Sequence, residues 1–196
     1  MTADGDGIPE LTDAEKVLGR AAESDVAAMS EALNNGTATP EDVDGAFGRL
    51  MALDVDPNKH RNDLHIPPDA GEHAAAIEAI LRRIPDGWGR WLSVDADWYP
   101  LVIATDTQLA RLDPHYRVHQ IKEKFGLLCY YCWLSIDDAS SELFDAMYAI
   151  TEDAERASAL ICERCGEPGI LHQSRHVRVK TLCPSCAEQL GYITRE

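Results

Sequence analysis

The stretch Ile161–Cys186, ICERCGEPGILHQSRHVRVKTLCPSC, holds two Cys-x-x-Cys pairs with seventeen residues between them. Its reading decides what the end of the chain builds. Zinc takes four ligands in a tetrahedron, so four sulfurs must reach one point without strain. A Cys-x-x-Cys followed by a small residue supplies half of this, because the chain turns sharply and both sulfurs face inward. Cys162-Glu163-Arg164-Cys165-Gly166 has that form, with Gly166 free to take a positive φ. Cys183-Pro184-Ser185-Cys186 has it too, with Pro184 fixing the turn. Between them, ILHQ and VRVKTL read as two short strands turning at Ser174-Arg175-His176. A hairpin closed by two such turns is a zinc ribbon. The expected ligands are Cys162, Cys165, Cys183 and Cys186, with one structural Zn2+ per chain.

A thioredoxin-like redox pair needs a single Cys-x-x-Cys at the head of a helix, so two pairs flanking a hairpin favour metal. The third pair, Cys129-Tyr130-Tyr131-Cys132, reads differently. In a strand, residues three apart face opposite ways, so these are expected to be packing thiols. His115 and His119 stand four apart, but Pro114 and Val118 place them in a loop entering a strand. His172 and His176 are expected at the surface or facing a partner, since four thiols already suffice.

Working outward, the chain is 196 residues with 45% hydrophobic residues, enough for a folded core with a small appended module. The fold class expected is α+β, mainly helical, with a small antiparallel sheet and the C-terminal ribbon. Three regions follow: helical residues 1–68, an α+β core over 69–161, and the ribbon over 162–196. Thr12-x-x-Glu15 is a capping box opening an alanine-rich helix that Asn34-Asn35-Gly36 closes, and Thr39-Pro40 opens a second. Residues 54–68, with three prolines, read as a loop. Asp69 opens a third helix that stops at Pro85-Asp86-Gly87, and another starts near residue 98. YRVHQIKEKFGLLCYYCWLSI reads as two strands around a Lys-Phe-Gly break. Asp138-Ala139-Ser140-Ser141 opens what reads as the longest helix, ending at Cys162.

The net charge of −16 is unevenly spread: −9 over residues 1–60, −8 over 61–161 and +1 over 162–196. Such a surface repels phosphate, which argues against nucleic-acid binding by the whole chain. No apolar run approaches the roughly 18 residues needed to cross a bilayer, and MTADGDGIPELTDAEK has no basic or apolar leader region. The chain reads as soluble and cytoplasmic, with no membrane partner.

Gly87-Trp88, VHQIKEKFGLLCYY, SALICERCGEPGIL and KTLCPSC together resemble a family of uncharacterised proteins common in phages, prophages and bacterial genomes. Members typically carry a VKEKFGGLRFY-like stretch and a C-x-x-CG-x-PG-x-L…TLC-x-x-H/C ending. The resemblance covers roughly residues 85–190, about half of the chain. Leu127 stands where a second glycine is usual, and Cys186 where histidine is frequent. The resemblance implies a zinc-holding fold and a phage or mobile-element association, and brings no established activity.

No glycine-rich phosphate loop, nucleophile elbow or His-Glu-x-x-His occurs. The sequence therefore points to a binding or adaptor module rather than an enzyme. The alternative is an acidic inhibitor or immunity-type protein that blocks a basic partner. Arg175, His176, Arg178 and Lys180 cluster on the only stretch that is not acidic. They are the candidate partner contacts, with a protein as the expected partner and nucleic acid admitted only through this hairpin.

Overall fold

Local capping chemistry starts the helices. In the computed structural model, which describes residues 11–52, 56–175 and 177–194, Thr12 accepts the Glu15 N–H while the Glu15 carboxylate accepts the Thr12 N–H. This box opens α1 (Asp13–Asn35), and Gly36 closes it at φ 69°. Thr39 and Asp42 repeat the arrangement at the start of α2 (Pro40–Met51). The stretch expected to be a loop contains a further helix, α3 (Pro57–Asn62), capped by the Asp56 carboxylate on the Asn58 N–H. The prolines that suggested a loop conceal the cap: Pro57 occupies the first helical position, where its missing N–H costs nothing. Residues 53–55 lie outside the described residues.

The chain divides into two compact units, Met1–Asp63 and Leu64–Glu196. Within the first, α3 is tied to α1 by Lys59–Glu15 and by the neighbouring pair Lys16–Asp63, each at 3.4 Å. Among its described residues only Leu11 and Ala46 are buried hydrophobics, while Leu33, Phe47 and Met51 are exposed.

The second unit runs through α4 (Ala74–Leu81), β1 (Leu92–Ser93), α5 (Tyr99–Leu112), β2 (Arg117–Lys124), β3 (Leu127–Trp133), α6 (Ser141–Ser158), β4 (Ile170–Ser174), β5 (Val179–Leu182), α7 (Pro184–Leu190) and β6 (Tyr192–Thr194). About half of the chain is helical, and the strands form two small sheets. The longest helix is α1 at 23 residues, not α6 at 18, since the capping box and the left-handed glycine bound an uninterrupted segment.

The first sheet has the order β1-β2-β3. Strands β2 and β3 pair antiparallel and turn through Phe125-Gly126, both at positive φ (58° and 79°), as a two-residue hairpin loop of matching twist requires. The expectation of a purely antiparallel sheet is corrected by β1, which pairs parallel to β2 with Leu92 opposite Ile121. A two-residue strand carries no periodicity to read, and α5 is the crossover that makes the parallel pairing possible. The sheet, α4, α5 and α6 enclose one core around Trp98, Ile77, Ile80, Leu109, Ile121 and Leu128.

The second sheet, in the order β5-β4-β6, is antiparallel throughout and belongs to the same unit. It sits against the first at defined points. Thr181 Oγ1 donates to the Gly126 carbonyl at 2.6 Å, and a Cβ on Gly126 would lie 2.6 Å from Leu171 Cδ2. Trp98 Nε1 donates to the Ile161 carbonyl just before the first cysteine.

Ser158, fully buried at the end of α6, accepts the Leu128 N–H at 2.8 Å and donates to the Glu155 carbonyl. Ser158→Ala leaves that N–H without a partner in the core. It is expected to cost about 1–3 kcal/mol, read as a lower urea midpoint with metal content unchanged.

Candidate metal centre

Two turns bring four sulfurs together. At the first, the Gly166 N–H donates to the Cys162 carbonyl at 2.9 Å and Cys162 N–H donates to the Glu167 carbonyl at 2.7 Å, with Gly166 at φ 71°. Gly169 fits against Cys162 so closely that a Cβ would lie 2.8 Å from its nitrogen. At the second turn Cys183 is the N-cap of α7, followed by Pro184 in the first turn. The Cys186 N–H donates to Cys183 Sγ at 3.4 Å and pulls that thiol down, while burial and the neighbouring sulfurs push Cys186 up.

The Sγ atoms of Cys162, Cys165, Cys183 and Cys186 all lie within 4.8 Å of one another, with Cys165 and Cys183 at 3.5 Å. This is far outside disulfide bonding distance and is a metal-binding geometry. Cys162, Cys183 and Cys186 are buried and Cys165 is exposed. The four positions expected from the spacing are the four that converge.

The other candidates fall elsewhere. Cys132 packs against the core, where burial pushes its thiol up to about 12, while Cys129 lies at the alternate strand position beside Tyr131. Neither joins the cluster. His115 precedes β2 and His119 sits within it, and neither belongs to a group able to hold a metal among the described residues. His172, expected at the surface, is buried, its Nδ1 2.8 Å from the Ile170 carbonyl oxygen.

Of the partner-contact candidates, Arg175 and Arg178 are exposed at the β4–β5 turn, and His176 lies outside the described residues. Lys180 is drawn inward. Its ammonium stands 2.9 Å from Glu163 Oε2 and 3.2 Å from Asp95 Oδ2. Glu163, between the first two cysteines, is fully buried. Burial pushes its carboxyl up to about 7, while Lys180 beside it pulls the other way. The sequence could not reveal this pairing, because Asp95 is 85 residues away from Lys180. Val179 and Thr181 occupy the other face of β5 from Lys180.

Lys180→Met strands the Glu163 carboxylate and is expected to destabilise by about 2–3 kcal/mol. That is below the range for a wholly buried pair, because 27% of the Lys180 side chain remains in solvent. The double variant Glu163→Gln with Lys180→Met is expected to recover part of the loss in urea denaturation. Compared with known proteins, the chain matches no family model, no curated protein and no solved structure.

Proposed function

We propose that the chain is a binding protein whose C-terminal hairpin is a zinc ribbon. One Zn2+, held by Cys162, Cys165, Cys183 and Cys186, fastens the hairpin, and the protein acts through its surfaces rather than through chemistry at the metal. The observation that supports this is the convergence of four sulfurs within 4.8 Å at two tight turns. A tetrahedron with zinc–sulfur bonds of about 2.3 Å has sulfur–sulfur edges of about 3.8 Å, and the 3.5 Å between Cys165 and Cys183 is close to that edge. Four thiolates complete the coordination sphere and leave no position for an activated water. The donor set therefore suits a structural ion.

Elemental analysis of protein prepared without chelator is expected to give one zinc per chain. Cys162→Ser with Cys183→Ser should abolish it, while Cys129→Ala with Cys132→Val should leave it unchanged. Thiolate–zinc binding contributes roughly 10 kcal/mol or more in small modules. Chelation is therefore expected to release amide protection first across residues 162–194, with the core around Trp98 and Ile121 retained. A zinc content near zero in the untreated parent would refute the reading.

A further inference from the structure

The outward face of the β2–β3 hairpin brings exposed aromatic rings and cations together. Strand alternation sends Val118, Ile121, Leu128 and Tyr130 into the core, and the alternate positions face out. There, aromatic rings stand in solvent: Trp133 is 51% exposed, Tyr131 43% and Phe125, at the turn, 68%. A bulge places His119 as an extra residue between Val118 and Gln120. Such bulges re-aim a side chain. The His119 ring stacks on Trp88 at 4.6 Å and lies parallel to Trp133 at 6.5 Å, 3° from coplanar orientation. Beside it, a cleft of about 270 Å³ is lined by Arg117, Trp133, Ser135 and Asp137.

Cations alternate with these rings. Lys122 Nζ lies 5.5 Å from the Tyr131 ring centre and Lys124 Nζ 5.4 Å from that of Phe125, while Arg117 pairs in register with Trp133. None of the three makes an ion pair among the described residues. Glu123, the single carboxylate of the hairpin, accepts the Gly126 N–H at 2.6 Å. Asp137 at the cleft and Glu155 near Tyr131 are the flanking acids.

We propose that this face binds single-stranded nucleic acid, with bases stacking on Trp133, Tyr131 and Phe125 and phosphates following Arg117, Lys122 and Lys124. Exposed rings accept only unpaired bases, which selects a single strand over a duplex. The same three cations repel a basic peptide. The hairpin spans about 25 Å, whereas charges are screened beyond about 8 Å at physiological salt. A strand lying on it therefore responds to the local cations more than to the acidic surface elsewhere. A site of this length takes about four nucleotides, the lower end for an aromatic platform. The proposal rests on the reading of the chain as a binding protein. Its test is separate from the metal assay, so the failure of one leaves the other readable.

The test is fluorescence anisotropy with labelled oligothymidylate and oligouridylate of about twelve nucleotides at about 50 mM salt. Three phosphate contacts predict a log–log salt slope of about −2, with a duplex of equal length binding far more weakly. Trp133→Ala with Tyr131→Ala is expected to weaken binding by about ten-fold or more, while Tyr131→Phe keeps it. Lys122→Glu with Lys124→Glu should bring the slope to about −0.7. Arg175→Glu with Arg178→Glu should change nothing. These side chains are exposed except Lys122, which is half-buried, and circular dichroism with zinc content verifies that each variant is folded. Absence of binding by either oligonucleotide overturns the proposal and leaves the face to a protein partner. So does binding that the ring variant keeps, equal binding to duplex, or a loss confined to the Arg175/Arg178 variant.

Discussion

A carboxylate buried between two cysteines constrains everything around the C-terminal hairpin. Glu163 has no exposed surface, and its Oε1 has no hydrogen-bond partner among the described residues. An uncompensated charge there would cost several kcal/mol. Lys180 reaches it from β5, and Asp95 meets the same ammonium from the segment before α5. The backbone repeats the attachment, since the Glu163 N–H donates to the Thr181 carbonyl at 3.0 Å and Thr181 Oγ1 donates to Gly126. The first cysteine turn, β5 and the β2–β3 turn are thus held at one place. Leu182 and Ala187 pack with Cys162, Cys183 and Cys186 in a small apolar cluster of their own, which these bonds join to the larger core.

What the sequence disclosed was local. The boxes at Thr12 and Thr39, the left-handed Gly36 and the two Cys-x-x-Cys turns each depend on residues within about five positions, and each stands in the structure where the spacing implies. What it concealed was non-local. The parallel pairing of β1 needs the α5 crossover, the inward course of Lys180 needs a partner 85 residues away, and the bulge at His119 depends on the register with β3. The missed α3 is different, because its cap and Pro57 were legible and were outweighed by the proline count.

Net charge and local charge are different constraints. A net charge of −16 describes the far field, which falls away within about a nanometre in salt. A ligand at van der Waals distance meets individual groups instead. On the β2–β3 face those groups are Arg117, Lys122 and Lys124, and on the β4–β5 turn they are Arg175 and Arg178 once Lys180 has turned inward. The first set is interleaved with the exposed rings of Trp133, Tyr131 and Phe125, which gives that face its chemical character.

The turn joining β2 and β3 ties the row of exposed rings to the four-cysteine cluster. Phe125 holds φ at 58°, a conformation that costs a bulky L-residue roughly 1–2 kcal/mol. Such strain persists only where the surroundings over-determine it. Here they do: Gly126 is pinned by Thr181 through its carbonyl and by Glu123 through its N–H, and Leu171 leaves no room for a side chain at that position. With Gly126 fixed and the strands paired up to Lys124 and Leu127, Phe125 cannot relax without breaking one of these contacts. The strained ring therefore stays in solvent at the end of the aromatic row. The β5 strand that pins its neighbour runs directly into Cys183, so one strand joins the Phe125 turn to the second cysteine turn.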